Sequence, residues 1–207
     1  MKIVRIGEVG LEHAAQEAAW VLSEGGIVLY PTETVYGLGV NATNTQALRG
    51  LYHLKNRDLH KTALIAVGSS AEIEHYGVMN TTAHALAKRF LPGPLTLVLP
   101  ATERVLEGVI RDDGTVGVRV PSDAFCVTLA RQFKGAYTST SANISTLPPA
   151  GSVQDILAQF GESASAISLV IDDGERSKGT PSTIVSCVTE TPVILREGAL
   201  SREELGL

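Results

Sequence analysis

Cysteine is scarce in this chain of 207 residues, and its two copies, Cys126 and Cys187, are too few for a disulfide framework. Neither belongs to a Cys/His cluster with zinc spacing, and the five histidines show no ligand spacing, so no protein-held metal is expected. No apolar run is long enough to cross a bilayer. The opening residues Met1-Lys2-Ile3-Val4-Arg5 lack a long apolar stretch and a small-residue cleavage site, so a soluble cytoplasmic protein is expected. Excess positive charge is also missing: 17 basic against 22 acidic residues leave −5, which argues against a large polynucleotide footprint. G-x-x-x-x-G-K-[ST], H-E-x-x-H and G-x-S-x-G are all absent, and Gly37-Leu38-Gly39 lacks the third glycine of a dinucleotide turn. Paired carboxylates for acid–base work find little support either. Repeats, low-complexity tracts and long linkers are lacking, so residues 1–207 read as one domain.

What the chain does have is 44% hydrophobic residues, enough for a core, arranged in alternating periods. Helical spacing marks residues 11–24, 44–55, 81–91, 122–133 and 153–160, with Ser122 or Asp123 as the N-cap of the fourth. Strand patterns mark 27–30, 63–67, 95–99, 136–139, 167–171, 182–188 and 192–195, and 115–120 alternates as a half-buried strand. Strands alternate with helices early and outnumber them late. The expected fold is therefore α/β, a twisted mixed parallel and antiparallel sheet with flanking helices.

The densest chemistry follows the buried run Ile27-Val28-Leu29-Tyr30. Pro31-Thr32-Glu33-Thr34-Val35-Tyr36-Gly37-Leu38-Gly39 gathers hydroxyls, a carboxylate and a phenol at a strand end, where α/β proteins place small ligands. A Pro-started turn has the same composition. Lys55-Asn56-Arg57 closes the second helix with a point charge and a planar fork, which converge only if the chain leaves the helix there. Arg49, His53, Lys55, Arg57, His60 and Lys61 form a local basic patch against Asp58 alone, a composition shared by solvated helix faces. Arg119 stands on a strand, and a surface position fits it as well as a binding one. Ser139, Ser141 and Asn143 follow a strand and suit either a phosphate grip or Asx-turns. Gly179-Thr180-Pro181-Ser182-Thr183 and Arg196-Glu197-Gly198 repeat the theme. Cations, hydroxyls and amides without a strong base fit phosphoryl or nucleotidyl transfer better than hydrolysis or redox work.

Taken in order, Pro31–Gly39, Lys55-x-Arg57, Pro92-Gly93-Pro94-Leu95-Thr96, Val118-Arg119-Val120-Pro121, Ser139-Thr140-Ser141-Ala142-Asn143, Pro181-Ser182-Thr183 and Leu195-Arg196-Glu197-Gly198 resemble the YrdC/TsaC-type threonylcarbamoyl-AMP synthases over residues 14–200. The resemblance implies a YrdC-like sheet around a concave, positively lined cavity. It implies that L-threonine, bicarbonate and ATP become threonylcarbamoyl-adenylate and pyrophosphate, with Mg²⁺ held mainly by the nucleotide phosphates. The product would feed a separate transferase complex that modifies the adenosine beside the anticodon of ANN-decoding tRNAs; a weak tRNA contact is left open, and no membrane is involved. By position, it gives Lys55 to the ATP phosphates and Arg57 to the junction of threonine carboxylate and phosphate, both as catalytic residues. Ser139, Ser141, Asn143, Ser182, Arg119 and Arg196 would hold the nucleotide, and Thr32, Thr34 and Tyr36 would line the threonine pocket.

Three positions depart from the family pattern. Asp58 stands where proline is common, Ala66 where longer members carry histidine, and Ser145-Thr146 where Ser-Gly is usual; a β-branched Thr146 resists positive φ. Two rival readings stand beside the synthase: a non-catalytic RNA-binding paralogue using the basic cavity, and a synthase for another amino acid. Replacing Lys55 or Arg57 by alanine is expected to cut turnover sharply and leave the fold intact.

Overall fold

A computed structural model describes residues 1–56, 62–105, 108–176 and 180–207. Within them, strands β1 (Lys2–Arg5), β2 (Ile27–Tyr30), β3 (Gly37–Gly39), β4 (Leu64–Ala66), β5 (Leu95–Pro100), β6 (Thr115–Arg119), β7 (Tyr137–Ser141), β8 (Ile167–Asp172), β9 (Thr183–Ser186) and β10 (Val193–Arg196) build one sheet. Their spatial order is β1-β8-β2-β3-β7-β4-β6-β5-β9-β10. Pairs β1–β8, β8–β2, β4–β6 and β5–β9 are parallel and the others antiparallel, the mixed sheet the sequence predicts.

Helices cover both faces: α1 (Ile6–Val9), α2 (Leu11–Ser23), α3 (Thr45–Leu54), α4 (Thr81–Phe90), α5 (Ala124–Phe133), α6 (Val153–Phe160) and α7 (Arg202–Leu205). Buried Ala14, Ala15, Ala18 and Leu22 bring α2 close against α5, and with Val28, Tyr30, Leu169 and Ile171 they fill one core. Ile27 and Leu29 face the other way and join α3, α4 and α6 in a larger core. A strand covered on both faces reads as a continuous apolar run, which is why Ile27–Tyr30 shows no alternation. Caps follow the sequence closely. Asn44, Asn80 and Ser152 accept from the backbone N–H three residues on, while Asp123, the better of the two expected caps, accepts from Phe125.

Three expectations need correction. Strand β6 is buried along its whole length, not half-buried, because β4 and β5 flank it and both faces are packed. Strand β7 runs on through Ser141, past the expected end at 139, so Ser141 lies on the strand rather than after it. The Pro31–Gly39 segment is not all loop: Gly37–Gly39 inserts as β3 between β2 and β7. A Cβ on Gly39 would stand 2.9 Å from the Thr138 carbonyl and 2.8 Å from the Tyr30 ring, so only glycine lets the strands approach. Among the described residues, no helix is long and apolar enough to cross a membrane.

Candidate functional site

The middle of the sheet opens into a cavity of about 230 Å³. Its lining comes from seven separate stretches: Thr32, Thr34, Val35, Tyr36 and Gly37; Thr62 and Leu64; Arg111; Arg119; Ser139, Thr140 and Ser141; Pro181, Ser182 and Ile184; and Arg196. Eight of the sequence-predicted residues therefore meet here: Thr32, Thr34, Tyr36, Arg119, Ser139, Ser141, Ser182 and Arg196.

On one side the chain folds back through Thr32. Its hydroxyl donates to the Val35 carbonyl at 2.6 Å and accepts from the N–H groups of Thr34 and Val35 at 3.1 and 3.2 Å. Thr32 thus shapes the loop, and the Thr34 hydroxyl, 2.9 Å from it, is the group held toward the cavity. The Tyr36 ring lines the wall, but its hydroxyl points away, donating to the Gly174 carbonyl at 2.8 Å and accepting from the Asp173 N–H at 3.0 Å. Burial raises its pKa, so it stays a neutral phenol. Arg176 clamps the loop from outside, donating to the Thr32 carbonyl at 3.3 Å and pairing with Asp123 at 3.0 Å.

Arg119 ends β6 with only 4% of its side chain exposed, so the surface alternative is excluded. Its guanidinium reaches the Gly93 carbonyl at 3.3 Å, Thr34 Oγ1 at 3.4 Å and Glu33 Oε1 at 2.7 Å. Glu33 Oε1 also accepts from the Ser122 N–H and hydroxyl at 2.8 and 3.1 Å. Burial alone would raise the Glu33 pKa, but the Arg119 charge and the Ser122 hydrogen bond outweigh it and hold the carboxyl below its usual range. Across the cavity Arg196 grips the Ser182 carbonyl at 2.7 Å, and the Ser182 hydroxyl lies 2.9 Å from Thr96 Oγ1, which is fully buried. Burial first, and then the charge of Arg119, lower the Arg196 pKa, so the two arginines feel each other as like charges. Among the described residues no carboxylate lines the cavity itself: Glu33 offsets Arg119 from behind the wall, and Arg196 is held by the Ser182 oxygens. Such a site is built for an anion.

Two predicted residues lie behind the wall instead. Lys55 is 2% exposed and donates its ammonium to the carbonyls of Ser141 and Asn143, the latter at 2.7 Å. Asn56, at φ +47°, supplies the departure from helix that the K-x-R spacing needs. Asn143 spends its amide on the Ile144 and Leu147 carbonyls at 3.0 and 2.6 Å. Neither side chain lines the cavity. A buried, hydrogen-bonded Lys55 supports the fold, so its replacement by alanine will not leave the fold untouched. Nor is Lys55 part of a surface patch. Arg49 and His53 are exposed on α3, while Arg57, Asp58, His60 and Lys61 lie outside the described residues, as does Gly179. Ala66 is fully buried in the core beneath α2 and α5 and does not line the cavity. Thr146 is not among the residues with positive φ, so its branched side chain meets no backbone strain.

Arg111 is a cavity residue that the motifs did not single out, and Glu33, though inside the Pro31–Gly39 motif, has no role assigned from sequence. Arg111 sits before the Asp112-Asp113-Gly114 turn, whose composition marks a hairpin; only the folded chain shows that it lines the cavity. Thr96 and Gly93 explain their motif: one holds Ser182, the other offers its carbonyl to Arg119.

Comparison with known proteins fits this geometry. The model of the Sua5/YciO/YrdC family, described as "Telomere recombination", matches residues 20–198. A threonylcarbamoyl-AMP synthase of Pyrococcus abyssi is 35% identical over 204 residues, covering 98% of this chain and 59% of that protein. One from Thiobacillus denitrificans is 35% identical over 169 residues, covering 81% of this chain and 88% of the relative. The crystal structure of P. abyssi Sua5 complexed with L-threonine superposes with a TM-score of 0.89 at 36% identity, over 99% of this chain and 59% of that one. This chain thus spans less than two thirds of the longer relatives it matches.

Proposed function

Since the chain belongs to the Sua5/YciO/YrdC family, we propose that it is a threonylcarbamoyl-AMP synthase, a nucleotidyltransferase that joins L-threonine, bicarbonate and ATP and releases pyrophosphate. The observation that carries this reading is the position of Arg119. It touches the Thr34 hydroxyl on the loop side of the cavity and lies close enough to Arg196 on the serine side to depress its pKa. A cation placed there spans an amino-acid half and a nucleotide half.

In this reading L-threonine lies against Thr34 and the Tyr36 ring, with Thr32 holding their loop. Ser139, Ser141, Ser182 and Arg196 hold the nucleotide. The threonine amine forms an N–C bond with bicarbonate as a C–O bond breaks and water leaves, and an oxygen of the resulting carbamate attacks the α-phosphorus. The new O–P bond forms as the bond to the β-phosphate breaks, and pyrophosphate leaves with that electron pair. Arg119 and Arg196 offset the charge that builds on the phosphoryl oxygens. Lys55 acts through the carbonyls of Ser141 and Asn143, and so sets the Ser141-x-Asn143 segment against the nucleotide. Arg57 keeps its assignment to the threonine–phosphate junction. Mg²⁺ would supply further charge neutralisation on the phosphates. A cytoplasmic location and delivery of the product to a tRNA-modifying transferase complex belong to the same proposal.

The test is pyrophosphate release from ATP with Mg²⁺ present. Release that depends on both threonine and bicarbonate supports the reading. Protein that is folded yet inert, or equally active with an unrelated amino acid in threonine's place, overturns it.

A further inference from the structure

Neither the motifs nor the proposed mechanism uses Arg111. Its backbone is fixed on both sides of the turn before β6: its N–H donates to the Thr115 carbonyl at 2.8 Å, and its carbonyl accepts from Gly114 at 2.9 Å. Gly114, at φ +75°, makes that turn possible. Its side chain overlooks the cavity and is 44% exposed. Among the described residues its guanidinium makes no hydrogen bond. Asp113, the carboxylate beside it, lies at 3.6 Å, beyond hydrogen-bond reach, and that oxygen already accepts from the Thr115 N–H and hydroxyl. Arg111 therefore offers the cavity a planar fork with its donors unspent.

Its place along β6 says what the fork meets. Thr115 to Arg119 is four steps, about 13 Å at roughly 3.3 Å per residue. Arg119 closes the end of β6 that touches Thr34, and Arg111 stands beyond the other end. A monophosphate does not need cations at both ends of such a path; a polyphosphate chain does. Displacement at phosphorus is in line, with the attacking and leaving oxygens on opposite sides. The threonine-derived oxygen attacks from the Thr34 side, so the leaving group departs along the cavity away from it.

We infer that Arg111 binds the β- and γ-phosphates of ATP, the part that leaves as pyrophosphate, and not the α-phosphate retained in the product. This rests on the synthase reading above. Its partners are phosphate oxygens, and its role is to neutralise their charge as the P–O bond breaks; it transfers no proton.

Calorimetric titration of inorganic pyrophosphate, ATP and AMP into wild-type protein, Arg111→Gln and Arg111→Lys tests the assignment, with thermal melting to confirm folding. Losing a charge-assisted fork should weaken pyrophosphate and ATP about tenfold. AMP, whose phosphate lies near Arg119 and Arg196, should change by less than about twofold, because salt screens a charge more than ~8–10 Å away. Arg111→Lys should recover part of the pyrophosphate affinity. Equal losses for AMP and ATP, or unchanged pyrophosphate binding, overturn the assignment and leave the synthase reading standing. Wild-type protein that binds neither ATP nor pyrophosphate overturns both.

Discussion

Replacing Glu33 by glutamine removes one charge and little else, so it isolates the worth of the Glu33–Arg119 pair. The amide oxygen can still accept from the Ser122 N–H and hydroxyl. What is lost is the anion 2.7 Å from a guanidinium that is 4% exposed. Removing one partner of a fully buried pair costs about 3–5 kcal/mol, because the other charge is left uncompensated. Glu33 is 18% exposed, so water recovers part of this, and a loss of about 2–3 kcal/mol is expected. For a chain of this size each kcal/mol moves the melting temperature by about 2–4 °C, which gives a drop of roughly 4–12 °C at pH 7. The pH dependence follows from the lowered Glu33 pKa. A depressed carboxylate contributes stability that is complete above its unfolded value, ~4.3, and is lost as pH falls through the folded value. The melting gap between wild type and Glu33→Gln should therefore be full at neutral pH and close below about pH 4. Circular dichroism melts across that range are sufficient. A gap under about 1 °C at pH 7, or one that stays constant into acid, would refute the claim that Arg119 depends on this charge.

Other substitutions probe the opposite wall and its supports. Gly198→Ala would put a Cβ 2.2 Å from the Pro181 carbonyl and 2.7 Å from that of Ser182. It should displace the cavity edge, lowering turnover in a pyrophosphate-release assay more than it lowers stability. Thr96→Val keeps the volume but removes the hydroxyl 2.9 Å from Ser182 Oγ, costing about 1 kcal/mol in urea unfolding and raising the apparent KM for ATP. Lys55→Met strips the ammonium from two buried carbonyls and should cost about 2–3 kcal/mol in the same unfolding assay. Unchanged stability would show that the lysine is not held as described.

Most helices and the apolar strands were legible because their burial is written in local spacing. Leu11–Ser23 and Thr45–Leu54 repeat at helical period, and Ile27–Tyr30 needs no partner to look buried. Strand β3 was hidden because glycine is depleted in strands, and Gly39 answers to Thr138, far from it in sequence, as well as to nearby Tyr30. Strand β1 shows one buried residue in four and owes its existence to β8. At the site, residue types were readable and directions were not. Arg119 and Lys55 carry charges that usually face water, and each turned inward for a partner the linear order does not reveal: Glu33 for one, two strand-end carbonyls for the other. Arg111, outside every motif, could be placed at the cavity only in the folded chain.

The pairing of β8 with both β1 and β2 also bears on how the chain is made. Val4 pairs with Ile171 and Leu29 with Val170, so the first two strands wait for a segment far downstream in the chain. At 5–20 residues per second, roughly 7–33 s of synthesis pass between these strands and their partner. Through that interval β2 has only β3 beside it, and α2 waits first for α5 and then for β8 to cover its apolar face. Arg196 arrives later still, so no nascent chain short of it can hold a complete cavity. A ribosome-bound intermediate would thus be sticky before it could be active, and its need for a chaperone should fall sharply once β8 has cleared the exit tunnel.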